Sequence, residues 1–535
     1  MTTPFVAFIS LTTILGFLLH FLINKLRRSG GGLPLPPGPR PWPIIGNLFQ
    51  LGTKPHQTLA AMARVHGPLM HLKLGLVHVV VASSSQVVEQ FLKVHDANFL
   101  SRPPNASAKY IYNNEDMVFR PYGSRWRWLR KICALHLFSN KALDHFTYIR
   151  EKEVEILLKA LSSTGTAPVH LGQMVNVCTT NALARVILSR RVVDHGEGGG
   201  DGTAEEFRGM VLELMLLSGV FSVGEYIRPL EAFDLQGLAA KMRNLRERFY
   251  VFLSSIIEQH NANGNGPQGM DGHVDLLRVL ISLKEGGGSG SGSGSGGGIA
   301  GTGDEAEAIT DAEIKALFLN LFAAGTDTTS STVEWAVAEL IRHPKILAQA
   351  QGELDAIVGR DRVVTEHDLG KLPFCQAIIK ETFRLHPPTP LSLPRIAQES
   401  CEVNGFLIPK GSTLMVNVWA IGRNPDLWTN PLEFQPKRFL EDGERPNADV
   451  KGNDFELIPF GAGRRICPGV SLGIRMVQLL TTNLIHAFSF DLSNGRACQT
   501  LNMEESYGLT LQRADPLTVH PKPRLAPLVY GAEAN

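Results

Sequence analysis

The sequence predicts a mainly α-helical protein with small β-sheets: one globular domain on a single N-terminal transmembrane anchor. Three observations lead there. Phe5 to Ile23 reads FVAFISLTTILGFLLHFLI, without a formal charge. Beyond the first strand, apolar residues recur at helical spacing as far as about Leu283. Strand-like patterns are short, such as Val77 to Val81 and the alternating Cys401 to Trp419.

The anchor is assigned to residues 1–24. Its apolar core spans roughly 28 Å as a helix, close to one bilayer core. Lys25, Arg27 and Arg28 come after the run instead of preceding it, which argues against a cleaved signal peptide. By the positive-inside tendency, the chain beyond the anchor faces the cytosol. Residues 25–46 are a basic and proline-rich hinge, ending in LPLPPGPRPWPIIG. Its prolines fix φ and make a stiff spacer.

Residues 47–535 are read as one domain. Polar breaks fall near His195–Thr203 and Asn261–Gly272. Gly286 to Gly298, GGGSGSGSGSGGG, cannot bury apolar surface and is expected to be a flexible loop inside the domain. Formal net charge is +1, so no nucleic-acid partner is expected. The chain has six cysteines and no C-x-x-C pair. That excludes a common zinc module and a secreted disulfide framework, and fits a reducing compartment.

A long helix is expected next. Thr310 and Glu313 match a capping box, and the helix should stop before Pro344. Apolar residues recur at Ile314, Leu317, Phe318, Leu321 and Phe322, then at Val333, Ala336, Val337, Leu340 and Ile341. Between them lies GTDTTSST, Gly325 to Thr332. Small polar residues weaken a helix interior, so a plain core helix has little use for this patch. A second helix runs through Ala377 to Pro387. Cys401 to Trp419 reads as strand and hairpin, turning at Asn404-Gly405 and Lys410-Gly411.

FGAGRRICPG, Phe460 to Gly469, sets Cys467 among glycines and arginines. Nearby cations favour a thiolate, and glycine permits sharp turns and close approach. On chemistry alone Cys467 is either a structural loop thiol or a metal ligand.

This stretch resembles the haem-binding loop of the cytochrome P-450 monooxygenases. Ala324 to Thr329, AGTDTT, resembles the oxygen-activating groove of that family. ETFR, Glu381 to Arg384, resembles its E-x-x-R motif, and FQPKRF, Phe434 to Phe439, its F-x-P-x-R-F motif. The resemblance implies the cytochrome P-450 fold and haem b (iron protoporphyrin IX). O2 would be the co-substrate, and NADPH would supply electrons through a membrane-bound NADPH–cytochrome P-450 reductase. Cys467 would be the axial thiolate and metal ligand. Trp126, Arg130, Arg395 and Arg465 would partner the haem propionates, and Phe460 would shield the thiolate. Asp327 and Thr328 would manage protons as the catalytic pair. Glu381, Arg384 and Arg438 would form a structural charge triad. The microsomal type implies the endoplasmic reticulum membrane, a single pass, a cytosolic catalytic domain and contact with membrane lipid.

Longer stretches, among them SRPPN at Ser101 and LNMEESYGLTLQRA at Leu501, are similar to plant flavonoid 3'-hydroxylases. The implied reaction is hydroxylation of the flavonoid B-ring at the 3' position. A flavonoid 3',5'-hydroxylase, another phenolic hydroxylase and a non-catalytic haem scaffold are the alternatives. Candidate substrate walls are Phe119, Leu216, Phe322, Ala324, Leu391 and Thr510, since a planar aromatic needs an apolar slot. Pro468, Asn113-Asn114-Glu115 and Arg120 depart from the expected pattern, and the Gly/Ser run is longer than expected.

Overall fold

The computed structural model describes residues 33–165, 167–193, 203–262, 275–286, 308–492 and 500–531. The anchor, most of both polar breaks and nearly all of the Gly/Ser run lie outside the described residues.

Six helices frame the site: α1 (Ser124–Cys133), α2 (Leu171–Leu188), α3 (Thr203–Gly219), α4 (Asp311–Arg342), α5 (Pro373–Leu385) and α6 (Val470–Ala487). The main sheet contains β1 (Leu69–Leu74), β2 (Val77–Ala82), β4 (Arg395–Ile396) and β7 (Thr413–Val416), in the order β1-β2-β7-β4. β2 and β7 run parallel; the other two pairings are antiparallel. A second sheet joins β3 (Val169–His170), β11 (Thr518–Pro523) and β8 (Phe488–Leu492). Two small hairpins are β5 (Cys401–Val403) with β6 (Phe406–Ile408), and β9 (Glu505–Ser506) with β10 (Gln512–Arg513).

The long helix is continuous across its polar patch. Thr310 Oγ1 accepts from the Glu313 amide, and the Glu313 carboxylate accepts from the Thr310 amide. Within the patch, the hydroxyls of Thr326, Thr328, Thr329 and Thr332 donate to the carbonyls four residues back. They satisfy themselves without breaking the ladder. The helix ends at Arg342, before Pro344. Gly325 leaves room for Leu183: a Cβ there would stand 2.5 Å from Leu183 Cδ1 on α2.

The hairpin turns as expected, with Asn404 at φ 52° and Gly405 at φ 79°, both left-handed as a two-residue turn demands. The strand reading overran, however. β7 ends at Val416, and Val418–Ile421 is a short helix capped by the Asn417 side chain. α5 begins at Pro373, four residues earlier than its apolar pattern suggests, because proline suits a first helical turn.

Among the described residues one stretch, Gly209–Tyr226, is long and apolar enough to cross a membrane by length and composition. Met210, Val211, Leu214, Met215 and Leu217 are buried in the same core as α1 and α4, so one face of this stretch packs inward here.

Candidate active site

A cavity of about 300 Å³ lies against α4. Its walls come from α1, α2, α4, α6, the 388–395 connection, the Phe460–Gly473 segment and Leu509-Thr510. Ala324 is exposed although it sits mid-helix in the core, because it faces this space.

Cys467 lines the cavity. Gly461 and Gly463 carry the turn into its loop, at φ +71° and +69°. The Cys467 amide donates to the Phe460 carbonyl at 3.0 Å, closing the loop. The thiol's surroundings differ from the sequence reading. Arg464 turns outward to Asp96, and buried Arg465 donates to the carbonyls of Leu100 and Arg120. Burial pushes the Cys467 thiol up; the Gly469 amide and Arg130, not the adjacent arginines, oppose it. Phe460 lines the cavity and packs edge-on against Phe383 at 5.2 Å.

Arg130, Arg395 and Arg465 also line the cavity, and Arg102 joins them. Arg102 donates to the Leu393 and Pro394 carbonyls at 2.6 and 2.9 Å, and Arg130 to the Ile466 carbonyl at 2.6 Å. Arg395 donates to the Ala462 carbonyl at 2.6 Å and pairs with Asp96 at 3.4 Å. Burial, then repulsion by Arg395 and Arg465, holds Arg102 well below the usual arginine range. Burial lowers Arg395 and Arg465 to about 10. Trp126 lies under Arg465, with the guanidinium 4.2 Å from its ring. Its indole N–H is committed to the Met117 carbonyl at 3.1 Å.

Thr328 lines the cavity, whereas Asp327 does not. Asp327 is 2% exposed and turns toward β10, where Gln512 Nε2 donates to its Oδ1 at 2.9 Å. Burial raises its pKa; Thr510 and Gln512 oppose that. Glu381, Arg384 and Arg438 come together away from the cavity, each at most 4% exposed. Glu381 Oε1 also accepts from the Gln435 amide at 2.7 Å.

Of the candidate substrate walls, Phe119, Ala324 and Thr510 reach the cavity. Leu216 is 55% exposed, Phe322 packs edge-on against Phe207 at 5.3 Å, and Leu391 belongs to the cluster under β1 and β2. In each case a neighbour lines the cavity instead: Met215, Leu321 and Ala323, and Ser392. The helical or loop phase differs by one residue.

The sequence reading missed two polar features. Arg102 stands in SRPPN with no helical neighbour to flag it. Tyr112 and Asn320 form a polar pair on the cavity wall, the amide of Asn320 meeting the phenol. Asn320 Oδ1 also accepts from the Met117 amide at 3.0 Å. The available signal was one amide inside the apolar run Leu317 to Phe322. Of the departures from pattern, Pro468 lines the cavity beside Cys467, whereas Asn113, Asn114, Glu115 and Arg120 lie off it. Arg120 pairs with Glu115 and reaches Glu313 on α4 at 3.3 Å. Asn113 and Asn114 take left-handed φ of 53° and 60°, which asparagine tolerates.

The Cytochrome P450 family profile matches residues 36–518. The chain belongs to the cytochrome P450 family. It is 59% identical over 524 residues to the flavonoid 3'-monooxygenase of Petunia hybrida, across 97% of this chain and 98% of that one. It is 56% identical over 524 residues to the flavonoid 3'-monooxygenase of Arabidopsis thaliana, across 98% of both chains. A flavonoid 3',5'-hydroxylase of Crocosmia x crocosmiiflora is 50% identical over 536 residues, again across 98% of both.

As a P450 the protein is a haem-thiolate monooxygenase that uses O2. The residues present fit haem. Arg102, Arg130 and Arg465 line an apolar cavity and donate to main-chain carbonyls. Such a cation cluster calls for an anionic ligand, and a pair of carboxylates is what haem carries. The Cys467 thiol lines the same space, and its weakly acidic character in isolation leaves it to be ionised by a metal.

Proposed function

We propose that the chain hydroxylates the flavonoid B-ring at the 3' position, with O2 and with NADPH electrons delivered by a membrane-bound NADPH–cytochrome P-450 reductase. The observation that carries this is its agreement, end to end, with flavonoid 3'-monooxygenases. The cavity walls support it, since Phe119, Ala324 and the methyl of Thr510 offer an apolar slot for a flat aromatic. Residues 1–24 anchor the enzyme in the endoplasmic reticulum membrane, with residues 25–46 as hinge and 47–535 as the cytosolic catalytic domain.

Bound haem supplies O2 binding and activation. Cys467 holds its iron as thiolate, and Phe460 keeps water from the sulfur. Arg102, Arg130, Arg395 and Arg465 hold its propionates. The Trp126 ring supports Arg465 in this task. Thr328 presents a hydroxyl to the cavity, and Asp327 behind it takes protons from solvent and passes them on. The Tyr112 phenol, its oxygen engaged by Asn320, keeps its own proton free to meet a substrate oxygen. Glu381, Arg384 and Arg438 brace the Cys467 loop from outside the site.

The test is expression in microsomes with a reductase, supplied with naringenin, NADPH and air. One added oxygen, giving eriodictyol, supports the proposal. Two B-ring oxygens move the protein to the 3',5'-hydroxylases. No product from a preparation with the carbon monoxide band near 450 nm sinks the naringenin assignment.

A further inference from the structure

Three residues of α4 at four-residue spacing grip one short piece of the C-terminal chain. Asp327 Oδ1 accepts from Gln512 Nε2 at 2.9 Å. Ser331 Oγ and Trp335 Nε1 both donate to the Leu511 carbonyl, at 2.8 and 3.2 Å. Spacing of i, i+4, i+8 puts all three on one face of the helix. That face points away from the cavity, while Ala324, Thr328 and Thr332 of the neighbouring face line it.

The consequences for Asp327 are specific. Its Oδ2 is buried and has no hydrogen-bond partner. Gln512 therefore gives this carboxylate its side-chain amide donor. Titratable groups nearby are Glu334 on the same helix, whose carboxylate accepts from the Leu517 amide, Arg513 beside Gln512, and His170 on β3, which faces Glu334. None of them donates to Asp327 among the described residues. The Thr510 hydroxyl, two residues before Gln512, also favours the Asp327 anion, so this one short segment supplies the side-chain donors that set the orientation of the buried carboxylate.

We infer that Gln512 is a positioning residue for proton delivery, fixing Asp327 behind Thr328 and tying that acid to the segment that carries Thr510 into the cavity. The inference rests on the proposed role of Asp327. Gln512 does not line the cavity. Its donor stabilises the Asp327 anion and holds Oδ1, which leaves Oδ2 without a bond of its own. Because Thr510 and Gln512 share one short segment, displacement of the cavity wall is transmitted to the acid.

The experiment uses the full-length enzyme in microsomes with reductase. It reads product per NADPH, peroxide released and the pH dependence of their ratio, with the 450 nm band and KM as controls. Gln512→Leu should lower product per NADPH by roughly fivefold, the scale of one lost hydrogen bond, with peroxide rising in step. It should also move the alkaline limb of the coupling profile upward, because the anion has lost its donor. Gln512→Glu should be impaired at neutral pH and recover as pH falls, when a protonated glutamic acid can donate as the amide does. KM and the 450 nm band should hold in both. Wild-type coupling and pH profile in both variants would overturn the inference, as would a change confined to KM or to the 450 nm band. Asp327→Asn separates the two levels. If it leaves coupling intact, the relay reading fails and this inference with it. If it uncouples the enzyme while the Gln512 variants do not, this inference alone fails.

Discussion

Arg384 grips Glu381 with two parallel hydrogen bonds, Nε to Oε2 at 2.7 Å and Nη2 to Oε1 at 2.8 Å. Neither side chain has measurable exposure. Arg438 Nε adds a third contact to Oε1 at 3.1 Å, and Arg384 also donates to the carbonyls of Pro431 and Glu433. One residue thus ties α5 to the stretch that leads into the Cys467 loop.

Arg384→Lys keeps the charge and loses the fork. Breaking a buried pair of this kind costs about 3–5 kcal/mol. The expected result is loss of the 450 nm carbon monoxide band, with a shift toward 420 nm, and a lower thermal midpoint. Retention of both at wild-type values would show the fork to be dispensable.

Gly463 has φ +69°, and a Cβ there would stand 2.6 Å from the Leu92 carbonyl and closer still to Asp96. Gly461 has φ +71° with open space around it. Gly461→Ala should therefore cost only the left-handed penalty, about 1–2 kcal/mol. Gly463→Ala should cost roughly 2–4 kcal/mol, since backbone must also move. Haem content per protein and urea midpoints of the two variants test the order.

Thr328 Oγ1 donates to the Ala324 carbonyl at 2.6 Å and faces the cavity. Thr328→Ala should keep the 450 nm band and waste electrons as peroxide, lowering product per NADPH by about tenfold or more. Thr328→Ser should recover much of the coupling. Equal coupling in all three proteins would remove Thr328 from proton delivery.

Tyr112→Phe removes one hydroxyl from the cavity wall. The expected effect is a KM for naringenin raised about fivefold, the value of one hydrogen bond, with an unchanged 450 nm band. Spectral titration of substrate binding gives the same quantity independently of turnover.

Glu505 accepts from His56 at 2.8 Å, Gln57 at 2.7 Å and Trp419 at 2.9 Å. Burial would raise its pKa, but His56, Arg423 and Trp419 outweigh it and hold the carboxyl at about 2. A depressed acid stabilises the fold above its unfolded value near ~4.3. That stabilisation is lost as pH falls from there toward about 2. Glu505→Gln should be destabilised at pH 7 on the order of 3 kcal/mol. The gap from wild type should narrow through that acid window in denaturant titrations.

The long helix was legible because its signals are local: a capping box, a 3.6-residue period and a proline stop. So was the Asn404-Gly405 turn, where only certain residues accept φ > 0. The placing of the Cys467 loop on the cavity and the meeting of Glu381, Arg384 and Arg438 were legible through spacing that the family shares. What the sequence hid was phase and partnership across the chain. Leu216 and Met215 are adjacent and equally apolar, yet packing exposes one and turns the other to the cavity. Arg465 sits two residues from Cys467, but its guanidinium reaches Leu100 and Arg120 instead. Asp327 belongs to the polar patch that drew attention to α4, and nothing local pointed to Gln512, 185 positions on.

That separation has a meaning on the ribosome. At ~5–20 residues per second, roughly 10–40 s pass between the synthesis of Asp327 and that of Gln512. Throughout that time Asp327, Ser331 and Trp335 lack these partners, and the wall formed by Leu509 and Thr510 does not exist. A nascent chain that has already exposed Cys467 has no closed reaction chamber. The chamber is therefore completed by a segment made well after both the long helix and the Cys467 loop, so its closure is a late event in the making of the protein.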